Sequence, residues 1–262
     1  SWTILEMYSN VHKIIRVYKN SFKGGNNARN FGFTKVTGKF VQWLDADDYL
    51  LPGKFENQIK PLIENKADII YSDWRLDNWV HGKLVNQQLK QNKNYSDFLE
   101  ELLKDNWTSP NNYLMTYEMA KRLSGGIGWN PETKVGQDRE YFTMAGIFGA
   151  RFKYVPGVYA VYNKQSSGTI SGLDFKKRLE ENQKLENRFR IEIEINCNIA
   201  ERKKKSYLAI LDTHKLKACF YHSGIKVNYP INPFNIKLNL MHWKIALLMP
   251  YIYIKKHLQY FF

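Results

Sequence analysis

The sequence predicts an α/β fold, and three observations carry that assignment. Short β-branched and aromatic runs alternate with stretches of helical apolar spacing as far as about Gly172. Gly, Pro and Asn clusters punctuate the joins. Asp45-Ala46-Asp47-Asp48 then places three carboxylates where an apolar run stops. Open α/β sheets gather ligands at the carboxyl ends of their strands.

Taken in order, Lys13-Ile14-Ile15-Arg16-Val17-Tyr18 alternates as a strand does. Gly24-Gly25-Asn26-Asn27 reads as a turn, followed by a helix over residues 28–36. Phe40-Val41-Gln42-Trp43-Leu44 is a strand that delivers the Asp cluster. Pro52 suits a first helical turn, where its missing N–H costs nothing. Phe55, Ile59, Leu62 and Ile63 continue that helix, which Pro61 interrupts and kinks. Ala67-Asp68-Ile69-Ile70-Tyr71 is another strand, and residues 72–94 stay ambiguous, with a hairpin around His81-Gly82. Helices follow at residues 95–103, around Met119, Ala120 and Leu123, and at 137–148 closed by Gly149. Two strands flank Pro156, and two charged amphipathic helices occupy residues 175–199 and 202–221.

A chain of 262 residues with 44% hydrophobic and 15% aromatic content can bury a core, which excludes global disorder. Its net charge of +14 favours polyanionic company: nucleotide phosphates, anionic lipid or nucleic acid. Cys197 and Cys219 are too few for a disulfide scaffold or a four-cysteine zinc site. A reduced, cytoplasmic setting is the simpler expectation.

The Asp cluster costs free energy unless a cation or a hydrogen-bonding ligand answers it. With extended backbone, Asp45 and Asp47 project to one side and suit a single divalent ion. Taken alone, the cluster is equally a solvated turn with a helix cap. A calcium loop starting at Asp45 fails because Leu50 stands where glycine is required. Asp138 in isolation reads as a helix-surface carboxylate, the default for an acidic residue.

An ordered set of motifs resolves these alternatives. Gly24-Gly25-Asn26-Asn27-Ala28-Arg29-Asn30-Phe31-Gly32, Gly38-Lys39-Phe40-Val41, Leu44-Asp45-Ala46-Asp47-Asp48 and Leu51-Pro52-Gly53-Lys54-Phe55 come first. Gly125-Gly126-Ile127, Gly136-Gln137-Asp138-Arg139-Glu140-Tyr141 and Tyr154-Val155-Pro156 follow. Together they resemble family 2 glycosyltransferases of the GT-A fold, over roughly the first 171 residues. The resemblance implies a Rossmann-like sheet flanked by helices and a C-terminal helical extension. It also implies inverting transfer of a sugar from a nucleotide-diphosphate donor to a hydroxyl of a saccharide or lipid-linked acceptor, as in surface polysaccharide or glycoconjugate synthesis.

The same resemblance assigns roles by position. Asp45 falls near the donor ribose, and Asp47 on a Mg²⁺ or Mn²⁺ ion. Gly25, Arg29 and Asn30 line the nucleotide pocket, and Asp138 is the catalytic base. Two departures qualify it. Asn163 and Gln165 stand where the family often carries arginine and histidine, leaving Lys164 to meet a phosphate as a point charge. The family's opening strands also have no counterpart ahead of Ser1, so a domain truncated at its N-terminus is expected.

Three segments are expected: a transferase domain at 1–172, a helical extension at 173–222 and a basic, aromatic tail at 223–262. From Leu173 onward there are 17 Lys/Arg and 8 Asp/Glu, and after Asp212 seven lysines and no acid. Residues 240–254 are too short and too interrupted to span a bilayer, which takes about 20 apolar residues. The tail either lies in the membrane interface, making the protein peripheral on the inner face of the cell membrane, or docks on the catalytic domain with its lysines in solvent. Two competing functions remain: a catalytically degenerate transferase-like subunit, and a basic nucleic-acid-binding protein. No nucleic-acid motif supports the latter, so no nucleic acid is expected as partner.

Overall fold

The structure, a computed structural model, describes residues 2–126, 128–165 and 175–221, with side chains omitted at 175–176 and 216–221. The tail at 223–262, its expected membrane or domain contact, the boundary near Gly172, and Ser1 and Ile127 of the motifs above lie outside the described residues. Two compact units are present, Ser1–Phe189 and Arg190–Phe262.

In the first unit, helix α1 (Trp2–Val11) and helix α2 (Gly25–Phe33) precede β1 (Phe40–Val41), β2 (Tyr49–Leu50) and α3 (Lys54–Ile63). Next come β3 (Ile69–Val80), β4 (Lys83–Lys90), α4 (Phe98–Leu103), a 3-10 turn (Pro110–Asn112), β5 (Leu114–Thr116) and α5 (Tyr117–Ser124). Helix α6 (Gln137–Ile147), β6 (Phe152–Gln165) and the start of α7 (Phe175–Ile195) complete it.

The sheet order is β1-β5-β3-β6-β2, with β4 added to β3 beyond that path. Among the described residues only β3 and β6 pair in parallel; the other contacts are antiparallel. Strand β3 is therefore the spine. Its first half is sealed in the core, with Ile69, Ile70 and Tyr71 buried. Leu62 and Ala67 pack with Ile70 and Leu114 to form the floor beneath it.

Several expected elements change. Residues 13–18 are not in a sheet, and Ile14 is 92% exposed; no neighbouring strand lies beside them to accept a ladder. The strand expected to reach Leu44 ends at Val41, and Asp45 to Asp48 close a turn in which the Asp48 N–H donates to the Asp45 carbonyl at 3.1 Å. The extended geometry expected for Asp45 and Asp47 is therefore absent. The ambiguous stretch 72–94 is the long arm of β3 and its hairpin mate β4. His81 (φ 48°) and Gly82 (φ 74°) turn it, the paired positive φ values of a tight hairpin. The two strands expected around Pro156 are one strand, β6, with register shifts opposite Ser72 and Trp74 that accommodate the proline and Gly157. Pro61 sits in the last turn of α3, where a lost N–H bond does not stop the helix.

The capping chemistry follows the sequence. Asp97 accepts from the Glu100 N–H at 3.2 Å to start α4, and Thr116 accepts from Met119 at 3.2 Å to start α5. Helix α6 is buried from Arg139 to Ala145. Gly146 allows its close approach to Leu99, whose Cδ1 would lie 3.0 Å from an added Cβ. A polar seam runs under the 3-10 turn. Buried Lys54 donates to the Asn112 carbonyl at 3.1 Å, Asn112 and Ser72 exchange hydrogen bonds, and Asn111 donates to the Val161 carbonyl at 2.8 Å.

In the second unit, α8 (Glu201–Tyr221) buries Tyr207, Ala209, Ile210 and Leu211. Arg190 pairs with buried Asp212 at 2.5 Å. No helix among the described residues is long and apolar enough to cross a membrane.

Candidate active site

The site is assembled from four places in the chain: the start of α2, the turn after β1, the first turn of α6, and the end of β6. Arg29, one turn into α2, pairs with Asp45 across the opening. Its guanidinium carbon also lies 4.4 Å from the centre of the Trp129 ring, a cation–π contact that fixes the plane of the group. Trp129 is in turn stacked on Tyr141 of α6 at 4.2 Å and meets Trp43 edge-on at 5.5 Å.

The loop carrying Trp129 is pinned from both sides. Asn30 donates to the Trp129 carbonyl at 2.7 Å and accepts from its N–H at 2.9 Å. Gly128 has φ +58°, and a Cβ there would meet Asn30 Oδ1 at 3.0 Å; glycine is required both for the backbone and for the space. Buried Asn26 donates to the Asn130 carbonyl at 2.6 Å. Buried Glu140 accepts from Thr133 and, at 2.6 Å, from Arg188, which ties the loop to α6 and the first part of α7.

Asp47 is exposed at the tip of its turn, and Asp48 is buried behind it. Asn163 of β6 secures both: its backbone N–H donates to Asp48 Oδ1 at 2.8 Å, and its side-chain amide donates to the Asp47 carbonyl at 2.5 Å. Trp79 Nε1 orients that amide by donating to Asn163 Oδ1 at 2.8 Å. The second oxygen of Asp48 is buried with no partner among the described residues. Burial, followed by the neighbouring Asp47, Asp45 and Asp138 and opposed by the Asn163 N–H, raises the Asp48 carboxyl to about 7.

Asp138 occupies the first turn of α6, behind Gly136 at φ +74°. It is half-buried and makes no hydrogen bond to a described residue. Burial lifts its pKa to about 7; Arg29 pulls it down and Asp45 pushes it up. Asp138 thus feels the charges of Arg29 and Asp45, and Asp48 those of Asp47, Asp45 and Asp138. Of the remaining residues singled out in the sequence, Gly25 opens α2 with the Arg29 guanidinium 3.4 Å from where its Cβ would be, and Lys164 is exposed near the end of β6. Asn30 spends its amide on the Trp129 backbone.

Sequence reasoning missed Trp129 and the holding role of Asn163. Asn163 was visible only as a departure from the family pattern. Trp129 carried no signal, because the residues that seat it in the site, Asn30 and Arg29, lie about 100 residues away on α2.

No group of three or more His, Cys, Asp or Glu side chains able to hold a metal is present among the described residues. Magnesium-type ions commonly take only one or two protein carboxylates and complete their shell with phosphate oxygens and water. The orphaned Asp48 oxygen and the exposed Asp47 carboxylate fit that sparser demand.

Residues 1–121 match the family model described as Glycosyl transferase family 2. A beta-1,3-glucosyltransferase of Escherichia coli, WfgD, named for UDP-Glc and alpha-D-GlcNAc-diphosphoundecaprenol, is 31% identical over 77 residues, 28% of this chain and 30% of that protein. The Minor teichoic acid biosynthesis protein GgaB of Bacillus subtilis is 39% identical over 54 residues, 20% of this chain and 6% of that protein. The matched segments thus span less than a third of these relatives. Among solved structures, S. aureus TarS 1-349 in complex with UDP-GlcNAc superposes with a TM-score of 0.59 at 18% identity, covering 92% of this chain and 64% of that one. At that identity the likeness establishes a GT-A-like fold alone, and over residues 1–121 the chain is similar to glycosyl transferase family 2.

Proposed function

We propose that the protein is an inverting glycosyltransferase that moves a sugar from a nucleoside-diphosphate donor to an acceptor hydroxyl in polysaccharide or glycoconjugate synthesis. The observation that carries this reading is the Arg29–Asp45 ion pair beside the Asp47–Asp48 turn, which Asn163 holds, in a chain whose residues 1–121 are similar to glycosyl transferase family 2. A uridine nucleotide is the first donor to test, since WfgD is named for UDP-Glc and TarS was solved with UDP-GlcNAc.

In this reading Asp45 and Arg29 face the nucleotide, and Lys164 answers a phosphate. Asp47 holds Mg²⁺ or Mn²⁺, with Asp48 behind it. When bound, such an ion supplies positive charge to the departing diphosphate. Asp138 accepts the proton of the acceptor hydroxyl as its oxygen bonds to the anomeric carbon. The bond from that carbon to the diphosphate oxygen breaks as the new one forms. One displacement inverts the centre, and the leaving group needs no proton. A base with a pKa near 7 combines proton affinity with a useful charged fraction at neutral pH.

The test is hydrolysis of UDP-glucose and UDP-GlcNAc with and without Mn²⁺, in wild type, Asp47→Ala and Asp138→Ala. Loss of at least about 100-fold in each variant is expected, on the scale of a missing acid–base or charge-stabilising group. Rates that are unchanged in both variants refute the assignment. Cytoplasmic residence at the inner face of the membrane, through residues 223–262, is part of the proposal. Flotation with liposomes, with and without that tail, decides it.

A further inference from the structure

No step of the proposed transfer uses helix α7, yet this helix is fastened to the turn that carries Asp138. Leu185, Glu186, Arg188 and Phe189 fall at helical spacing and share one face of α7. Leu185 and Phe189 are fully buried. Leu185 is seated on the start of α6, where a Cβ added at Gly136 would meet its Cδ2 at 3.1 Å. Arg139 of α6 donates to Glu186 at 3.1 Å, and its guanidinium carbon lies 5.7 Å from the centre of the Phe189 ring. Arg188 donates from Nε to Glu140 at 2.6 Å and from a terminal nitrogen to the Thr133 hydroxyl at 2.7 Å. Helix α7 thus meets residues 136, 139 and 140, and Asp138 stands among them.

Two features set this junction apart from plain helix packing. The first is its chemistry. Glu140 is buried and accepts from Arg188, from Thr133 and, at 3.3 Å, from Asn130. Apolar side chains of similar volume hold elements together at least as well as a buried ion pair; the charges add a fixed geometry. The planar Arg188 fork reaches two segments at once, the loop at Thr133 and α6 at Glu140, which a lysine ammonium cannot match. The second feature is direction. At 3.6 residues per turn, side chains two apart leave a helix on nearly opposite sides, so the grip on Glu140 leaves the Asp138 side open. The loop's other end is held separately from α2, by Asn30 on the Trp129 backbone and Asn26 on the Asn130 carbonyl.

We infer that Arg188 is a positioning residue for Asp138: by locking α6 to α7 and to the Thr133 loop, it fixes where the Asp138 carboxylate stands relative to the Arg29–Asp45 pair. The inference rests on the transferase reading for what Asp138 does there. A base misplaced by about 1 Å costs about a hundredfold in rate. Because α2 holds the Arg29–Trp129 clamp on its own, loosening the Arg188 bridge should slow the reaction and leave donor affinity in place.

The full chain is compared as wild type, Arg188→Lys, Thr133→Val and the double variant. Arg188→Lys keeps a charge beside Glu140 but loses the fork; Thr133→Val removes the bridging hydroxyl at constant shape. Calorimetry measures UDP affinity, and Mn²⁺-dependent hydrolysis of UDP-GlcNAc measures kcat. Carboxyl ¹³C NMR, assigned with Asp138→Asn, measures the Asp138 titration midpoint. Arg29 of α2 and Asp45 and Asp48 of the turn after β1 also act on that charge, and these variants leave all three unaltered. In Arg188→Lys, UDP affinity should stay within about twofold while kcat falls about tenfold. The Asp138 midpoint should move from about 7 to about 6, as a loosened carboxyl gains water. Thr133→Val should show the same changes to a lesser degree, and the double variant should lose no more than Arg188→Lys, because both break one bridge. Should Arg188→Lys melt below the assay temperature, Thr133→Val carries the same expectation alone. An unchanged kcat and midpoint overturn the inference, as does UDP affinity falling by the same factor as kcat, or losses in the single variants that simply add. Wild type that neither binds UDP nor hydrolyses the donor removes the transferase reading, and the midpoint then decides on Arg188 by itself. Wild-type turnover with no change in the variants removes the positioning role and keeps the transferase.

Discussion

Arg29 is clamped between Trp129 and Asp45: its guanidinium carbon lies 4.4 Å from the indole centre, and the same group forms an ion pair with the carboxylate. The two contacts use different properties of the group, its flat face and its N–H edge. A lysine ammonium cannot supply both at once. Arg29→Lys is therefore expected to weaken UDP binding about tenfold or more, and Trp129→Phe by a smaller factor of about three, in line with cation–π energies. Calorimetric titration with UDP checks both. Equal affinity in Arg29→Lys would mean that the clamp is only structural.

Asp138 sets a pH dependence of rate. With its carboxyl near 7, the charged base is a minor form at pH 6, and single-turnover transfer should rise about tenfold between pH 6 and pH 8. Stability runs the other way. The unfolded carboxyl ionises near 3.8 and the folded one near 7, so the cost of keeping it in place accrues between those values and is constant above them. Asp138→Asn removes that cost. Above pH 7 the variant should be inactive yet more stable than wild type, by about 1–2 kcal/mol once partial exposure is allowed for. Below pH 4 the two should melt alike.

Asn163→Ala tests the clasp on the Asp turn. It removes the donor to the Asp47 carbonyl and the acceptor for Trp79. A loss of about 1–2 kcal/mol in stability follows from two broken hydrogen bonds. If Asp47 must be held in place to work, donor hydrolysis should fall about tenfold and the Mn²⁺ concentration for half-activity should rise. A variant that loses only stability would place Asn163 outside the working site.

Lys54 makes the opposite kind of prediction, one about the scaffold alone. Burial lowers its ammonium to about 7, and among the described residues its single hydrogen bond is to the Asn112 carbonyl. The unfolded group ionises near 10.5, so the penalty grows as pH falls from there to about 7 and then levels. Lys54→Met should stabilise the protein by about 2 kcal/mol at pH 6 and far less at pH 10. Chemical denaturation at the two pH values is the measurement.

The comparison of sequence with structure turns on where the information lies. Helix α6 was legible because Gly136 and Gly149 bracket it and its polar–apolar order is local. The Asp cluster stood out as a candidate because carboxylates gathered at a strand end have no local compensation. The hairpin was not, because β3 and β4 are polar, half-exposed strands whose alternation is obscured by Asn, Gln and Asp. Residues 13–18 misled for the converse reason: β-branched residues state a local preference, and a strand exists only where a neighbour takes its hydrogen bonds. Trp129 and Asn163 act through partners distant in sequence, at Asn30 and at Asp47 and Asp48, and nothing local announces them.

Among the described residues strand β4 pairs with β3 on one side only, so no described strand takes the outer row of backbone donors and acceptors along its eight residues. Bare rows of this kind recruit the same row from another molecule. Lys83 and Lys90 stand at its two ends with no acid between them, so two copies approaching edge to edge repel. The ribbon is thereby kept single-file and solvated, and a change that neutralises both lysines should convert a soluble edge into a seed for self-association.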